Sequence, residues 1–259
     1  MTGRLMKIGI LCGHHIPDLI KNPEKIKVHT PYGDVLLHAA TLGNHEIYFL
    51  QRHGEQGNLP PHRVNHLGNI YALAVSHVSS VFSVGTVGSM QMTIRPGDFV
   101  IPHDFIDTTK SRPVTFFDDQ RVHVDMTEPF CPSLRTLLYK NCKKLKEVTV
   151  HENGVYLVTE GPRLETAAEI QLYSTVADIV GMTLAPEVIL AREKGMCFVS
   201  LCLVCNMAAG LQQRLPADEI TSIYKKKEPL ISKILQLTIQ SLDEKQSCLC
   251  PSDVSQATL

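Results

Sequence analysis

An excess of charge of either sign is missing from this chain. Twenty-five Lys and Arg against 26 Asp and Glu leave a formal charge of −1 over 259 residues. No general field therefore draws it to nucleic acid or to an anionic membrane, and positive charge must act locally. Long hydrophobic runs are missing too. No stretch approaches the roughly 20 apolar residues of a membrane span, and the N-terminus lacks the apolar segment of a signal peptide. The eight cysteines show no paired metal spacing. Cys197, Cys202 and Cys205 fall in an apolar, strand-like run, where reduced and buried thiols are expected. Internal repeats are lacking, as is any linker before the polar tail that follows Gln246. What remains is the profile of an ordinary soluble enzyme, expected in the cytoplasm. With 44% hydrophobic and 20% charged residues, it can bury a sizeable core. One domain is expected over residues 1–246, with a flexible tail over 247–259. Cys248 and Cys250 are expected there as exposed thiols, and Lys225-Lys226-Lys227 as the solvated face of the last helix.

Strand-like and helix-like segments alternate throughout. Leu5–Leu11, His45–Gln51, Ser80–Val84, Phe99–Ile101, Gly154–Thr159, Ile179–Met182 and Cys197–Val204 read as strands. Asn65–Ser76, Ser133–Leu145, Thr166–Thr175, Pro186–Lys194 and Pro216–Gln240 read as helices, with Ser133 able to cap the second. Such alternation argues for a single α/β domain with a central sheet covered by helices. Ligands of open sheets of this kind sit at the carboxyl ends of strands. The polar clusters here all follow strands.

Three of these clusters suit an oxyanion. Arg52-His53-Gly54 sets a fork of donors beside an imidazole on a turn loosened by glycine. Gly85-Thr86-Val87-Gly88-Ser89 is expected as a turn after the strand at Ser80–Val84, offering backbone N–H groups at close approach. It is neither a P-loop nor a dinucleotide fingerprint, because the lysine and the spacing are absent. Met182-Thr183 leads from a strand into a helix near Pro186, where Thr183 can cap the helix or meet an anion. Two further motifs suit a base. Asn206, in Val204-Cys205-Asn206-Met207-Ala208-Ala209-Gly210, offers an amide donor to a purine O6 and an amide oxygen to a protonated N7. Glu165, in Glu160-Gly161-Pro162-Arg163-Leu164-Glu165, can take the N1–H.

Taken as a set, these residues resemble the trimeric purine nucleoside phosphorylase family, which includes the methylthioadenosine and methylthioinosine phosphorylases. The resemblance runs from about Lys7 to Gln240. It is carried by Thr30-Pro31-Tyr32-Gly33, Arg52-His53-Gly54, Val64-Asn65, Arg95-Pro96-Gly97-Asp98, Phe105-Ile106-Asp107 and Glu128-Pro129-Phe130, and by Glu160-Gly161-Pro162-Arg163, Met182-Thr183, Pro186-Glu187-Val188 and Asn206. It implies an α/β/α sandwich with a central mixed sheet, a homotrimer with sites near subunit interfaces, and inorganic phosphate as co-substrate. It implies neither a metal nor an organic cofactor.

Carried over by position, the family pattern puts phosphate on Arg52, His53 and Thr183, beside Gly85 and Thr86. Met182 lies against the ribose, and Asn206 and Glu165 hold the base, with Leu164 and Ala208 alongside. Relatives that act on 6-aminopurines usually have aspartate and serine in place of Asn206 and Glu165. The resemblance therefore implies phosphorolysis of a 6-oxopurine nucleoside. Leu215-Pro216-Ala217 matches the region over the 5′ end of the sugar, and its apolar character suits a methylthio group. Methylthioinosine is the expected substrate, with inosine or guanosine next, and His123 matches a position that reaches a neighbouring subunit's site. Two positions depart from the pattern. Cys12-Gly13-His14-His15 puts His14 where a phosphate-binding hydroxyl stands in the family, and Gly85 contributes no side chain. These departures keep open a nucleoside-binding relative of weak or absent phosphorolysis, and a methylthioadenosine phosphorylase is the other alternative.

Overall fold

The computed structural model describes residues 5–13, 16, 18–214, 217–243 and 248–257. Eleven strands join one mixed sheet. In chain order they are β1 (Lys7–Cys12), β2 (Glu24–Thr30), β3 (Gly33–Leu42), β4 (His45–Gln51), β5 (Ser80–Ser89), β6 (Phe99–Val100), β7 (Asp104–Asp107), β8 (Val150–His151), β9 (Val155–Val158), β10 (Ile179–Gly181) and β11 (Cys197–Met207). The helices are α1 (His66–Val75), α2 (Pro132–Lys143), α3 (Ala167–Tyr173), α4 (Leu184–Glu193), α5 (Ala217–Gln240) and the short α6 (Cys250–Asp253).

The central strands are apolar on both faces, because helices cover both. β11 is buried from Phe198 to Asn206. On one face, Leu134 and Leu138 of α2 and Ile231, Ile234 and Leu235 of α5 pack with Ile8, Ile10 and Phe82. On the other, Ile70 and Leu73 of α1 and Val188 and Leu190 of α4 pack with Leu11, Val81 and Phe198. This is the expected α/β/α sandwich.

β5 organises the functional end of the sheet. It runs parallel to β1 from Ile8↔Ser80 to Cys12↔Val84 and parallel to β11 on its other edge. β10 takes up the first edge only at Val180↔Gly88, in antiparallel pairing. Between Val84 and Gly88 that edge has no strand partner among the described residues. The sheet forks there, and a cleft opens in the fork.

Several local expectations are corrected. Gly85–Ser89 is not a turn but the second half of β5, because β11 continues to pair with it through Met207↔Ser89. Helix α2 begins at Pro132 with Cys131 at its N-cap and no side-chain cap bond, so Ser133 lies inside the first turn. The segment 248–257 packs against the body, so the reading of two exposed thiols fails. Cys250 is 3% exposed, and the carbonyl of Ala257 accepts a 2.8 Å bond from the amide of His123.

Candidate active site

The fork encloses a cleft of about 200 Å³. Its lining brings together Arg52, His53, Gly85, Thr86, Leu164, Glu165, Met182, Thr183, Asn206 and Ala208 from distant parts of the chain. β5 contributes the edge at Gly85–Gly88, and a Cβ at Gly85 would meet nothing within 4 Å. The missing side chain therefore leaves open volume beside the backbone.

Arg52 follows β4 and is 3% exposed. Its Nε donates to Glu187 Oε1 at 2.5 Å, and Nη2 donates to Glu187 Oε2, Ser83 Oγ and the carbonyl of Leu11. Nη1 donates to the carbonyl of Val84 at 2.8 Å. These bonds use Nε, both hydrogens of Nη2 and one of Nη1. The other Nη1 hydrogen remains beside Gly13, where a Cβ would stand 3.7 Å from Nη1. Burial works against the charged guanidinium, but the adjacent Glu187 carboxylate outweighs it and raises the pKa. The Nδ1 of His53 lies 2.6 Å from the carbonyl of Leu59. A carbonyl only accepts, so Nδ1 carries the proton. The rest of the ring lies over Gly13, whose Cβ would come within 3.2 Å of Cδ2.

Thr183 is the N-cap residue of α4, yet its side chain makes no cap bond. The hydroxyl and the first amides of a ten-residue helix therefore meet at the cleft, an arrangement that favours an anion. Met182 precedes it, and its Sδ would lie 2.5 Å from a Cβ on Gly161.

At the other end of the cleft, Asn206 is 8% exposed. The register between β5 and β11 shifts between Val204 and Asn206, a bulge that re-aims the side chain. Nδ2 donates to the carbonyl of Met207 at 2.9 Å, which leaves its second hydrogen and Oδ1 for a ligand. Glu165 lies two residues before the first residue of α3, whose N-cap is Thr166, so its charge is not part of the helix's first turn. Instead it accepts a 2.6 Å bond from the Thr159 hydroxyl. An amide and an oriented carboxylate thus share one cavity with an anion-favouring helix start.

Residues 7–240 match the family described as the phosphorylase superfamily. The chain belongs to that superfamily. It is 44% identical to the probable S-methyl-5′-thioinosine phosphorylase of Methanopyrus kandleri, over 88% of this chain and 90% of the relative. It is 41% identical to the probable 6-oxopurine nucleoside phosphorylase of Dictyoglomus turgidum, over 95% of each. Among solved structures, a methylthioadenosine phosphorylase from an antarctic soil metagenomic library superposes with a TM-score of 0.91. That pair is 31% identical and covers 98% of this chain and 93% of the other.

Of the sequence-predicted positions of this phosphorylase-superfamily chain, His14, Leu215, Pro216 and the side chain of Ala217 lie outside the described residues. His123 is exposed on the surface, where its amide meets the C-terminal segment. Other residues of the site escaped the sequence reading. Ile220 and Tyr224 of α5 line the cleft, but in sequence they are ordinary apolar positions of a long helix. Arg112, with a side chain 3% exposed, donates to the carbonyls of Met182 and Glu160. It ties the Glu160 loop to the strand end that carries Met182. No local pattern marks it, because its partners, these carbonyls and the Glu160 carboxylate, are remote in sequence. No helix among the described residues is long and apolar enough to cross a membrane.

Proposed function

We propose that this protein cleaves the N-glycosidic bond of a 6-oxopurine nucleoside with inorganic phosphate, most readily 5′-methylthioinosine, giving the free base and a sugar 1-phosphate. The observation that carries this reading is the convergence of Asn206 and Glu165 on one cleft with Thr183 and the open edge of β5. Bond cleavage leaves electron density on the purine and positive charge on the sugar. Asn206 stabilises the departing base through O6 and N7, Glu165 accepts from N1–H, and phosphate at the α4 start attacks the anomeric carbon. Thr183, the β5 edge at Gly85–Thr86, His53 and the remaining Nη1 hydrogen of Arg52 hold that phosphate. The α5 wall, where Ile220 and Tyr224 line the cleft, offers the 5′ substituent apolar contact and favours methylthio over hydroxyl. No cofactor takes part in this chemistry.

The homotrimer belongs to the same reading, with His123 reaching across to a neighbour's cleft. Light scattering after gel filtration gives the mass that tests it. The thiol-rich chain fits a cytoplasmic place.

A second reading, nucleoside binding with weak phosphorolysis, is favoured by the engagement of Arg52 with Glu187 and three backbone or hydroxyl acceptors. One experiment separates them. Methylthioinosine, inosine and methylthioadenosine are each incubated with and without phosphate, and the released base is followed by chromatography. Phosphate-dependent release of hypoxanthine, fastest from methylthioinosine, is expected. Binding without release supports the second reading. Methylthioadenosine as the best substrate refutes the roles given to Asn206 and Glu165.

A further inference from the structure

At the opposite end of β11 from Asn206, four cysteines meet. Cys131 precedes α2, Cys197 opens β11, and Cys248 and Cys250 come from the C-terminal segment. Their sulfur atoms all lie within 4.8 Å of one another, and the Cys197 and Cys248 sulfurs are 3.3 Å apart. Cys131 and Cys250 are buried, while Cys197 and Cys248 are partly exposed.

A tetrahedral zinc with Zn–S bonds of about 2.3 Å requires its sulfurs about 3.8 Å apart, close to the spacing seen. Tetrahedral thiolate sets select zinc or iron–sulfur centres over hard cations. We propose that Cys131, Cys197, Cys248 and Cys250 bind one structural Zn²⁺ that fastens the C-terminal segment to the body of the protein.

Binding converts four thiols to thiolates with release of four protons, giving a tetrathiolate centre of net charge −2. Two features of the surroundings accept that charge. Arg192, 3% exposed, lines the cavity that holds Cys248 and Cys250. Cys131 stands at the N-cap of α2, where the helix start favours a thiolate.

The segment is seated to bring its ligands in. Pro251 packs on Gly195, its Cα 3.5 Å from where a Cβ would stand, and Ala257 is 6% exposed. Sequence spacing hides such a site, because two of the ligands lie far apart and only Cys248 and Cys250 are neighbours. The centre is structural and stands apart from the cleft: the nine residue steps of extended β11 from Cys197 to Asn206 span about 30 Å.

The test uses the full chain, purified without chelator under reducing conditions and analysed by elemental mass spectrometry. One zinc per chain is expected, with eight thiols titratable after denaturation in chelator. Cys197→Ser and Cys250→Ser are expected to lose the metal, whereas Cys142→Ala, outside the cluster, keeps it. Cobalt substitution should give thiolate charge-transfer and tetrahedral ligand-field bands in the wild type and Cys142→Ala alone. A protein that folds and turns over without zinc, or one with a disulfide among these four sulfurs, overturns the proposal. So does zinc retained in both serine variants.

Discussion

The side-chain nitrogen of Asn206 stands 3.0 Å from the place a Cβ would occupy on Gly88. The two residues are register partners across β5 and β11, so the amide rests on a backbone position that offers no side chain. Val180 of β10 approaches the same point to 3.3 Å. Glycine here lets β10 join the sheet and seats the amide at the same time. The amide's position is thus fixed by two strands and a bulge rather than by a loop, the kind of support that precise hydrogen bonding needs.

If that amide stabilises the departing base, Asn206→Ala should lower turnover by roughly 10²–10³-fold, the usual loss for one preorganised transition-state hydrogen bond. The melting temperature should change little, since the residue lies at the cleft. Asn206→Asp should move the ratio of kcat/KM values from methylthioinosine toward methylthioadenosine, because a protonated carboxyl can donate to N7 while an ionised one repels O6. Steady-state kinetics on both substrates measures this, and an unchanged ratio would remove Asn206 from base recognition.

The 2.6 Å bond from Thr159 to Glu165 gives a second test at a residue that touches no substrate. Thr159→Val keeps the shape of the side chain and deletes the donor. A hydrogen bond to a charged group is worth about 1.5–3 kcal/mol. A loss of roughly tenfold in kcat/KM is therefore expected for inosine, where Glu165 must meet N1–H. Adenine nucleosides carry no N1–H, so methylthioadenosine kinetics should stay nearly constant. An equal loss on both substrates would mean that Thr159 serves only the fold.

Much of this was legible in the chain itself. His45–Gln51 is a strand with the predicted limits, and Asn65 caps α1 through a 2.9 Å bond from the amide of Gly68. The Arg52, Thr183, Glu165 and Asn206 motifs were all visible as polar groups following strands. Two kinds of feature were hidden. The β2–β3 hairpin is half-exposed, so it lacks the apolar run that marked the central strands. The fork in β5 and the four-cysteine cluster depend on pairing between distant segments, to which local periodicity is blind. Gly85–Ser89 looked like a turn because glycines punctuate it. The partner strand β11, eleven residues long, overrides that local preference.

Glu187 is 0% exposed and shared between Arg52 and Ser83. It orients Arg52 at the end of the cleft where phosphate is proposed. Removing one member of a buried ion pair strands the other charge and typically costs about 3–5 kcal/mol. Glu187→Ala should lose stability on that scale in urea unfolding. Glu187→Gln keeps an acceptor and the volume, so it should fold. Its KM for phosphate should rise, with the KM for nucleoside nearly unchanged. A rise confined to the nucleoside KM would place Arg52 away from phosphate.

His66 opens α1 beneath the same network, 2% exposed, with Nδ1 4.0 Å from Glu187 Oε1. Burial, reinforced by the charges of Arg112, Arg52 and His53, pushes its imidazole down from 6.5 to about 3. The unfolded chain therefore takes up a proton near pH 6.5 that the native state refuses until about pH 3. Stability from this group is complete above the higher value. It is lost as pH falls between the two, by at most about 1.4 kcal/mol per pH unit. His66→Leu removes the titrating ring while keeping an apolar side chain in a buried position. Groups shared by both proteins contribute equally, so the difference in slope isolates His66. Urea unfolding at about pH 7 and about pH 5 should show a smaller decline for the variant than for the wild type. Parallel declines would mean that His66 titrates alike in both states, and that solvent reaches the network around Arg52 and Glu187.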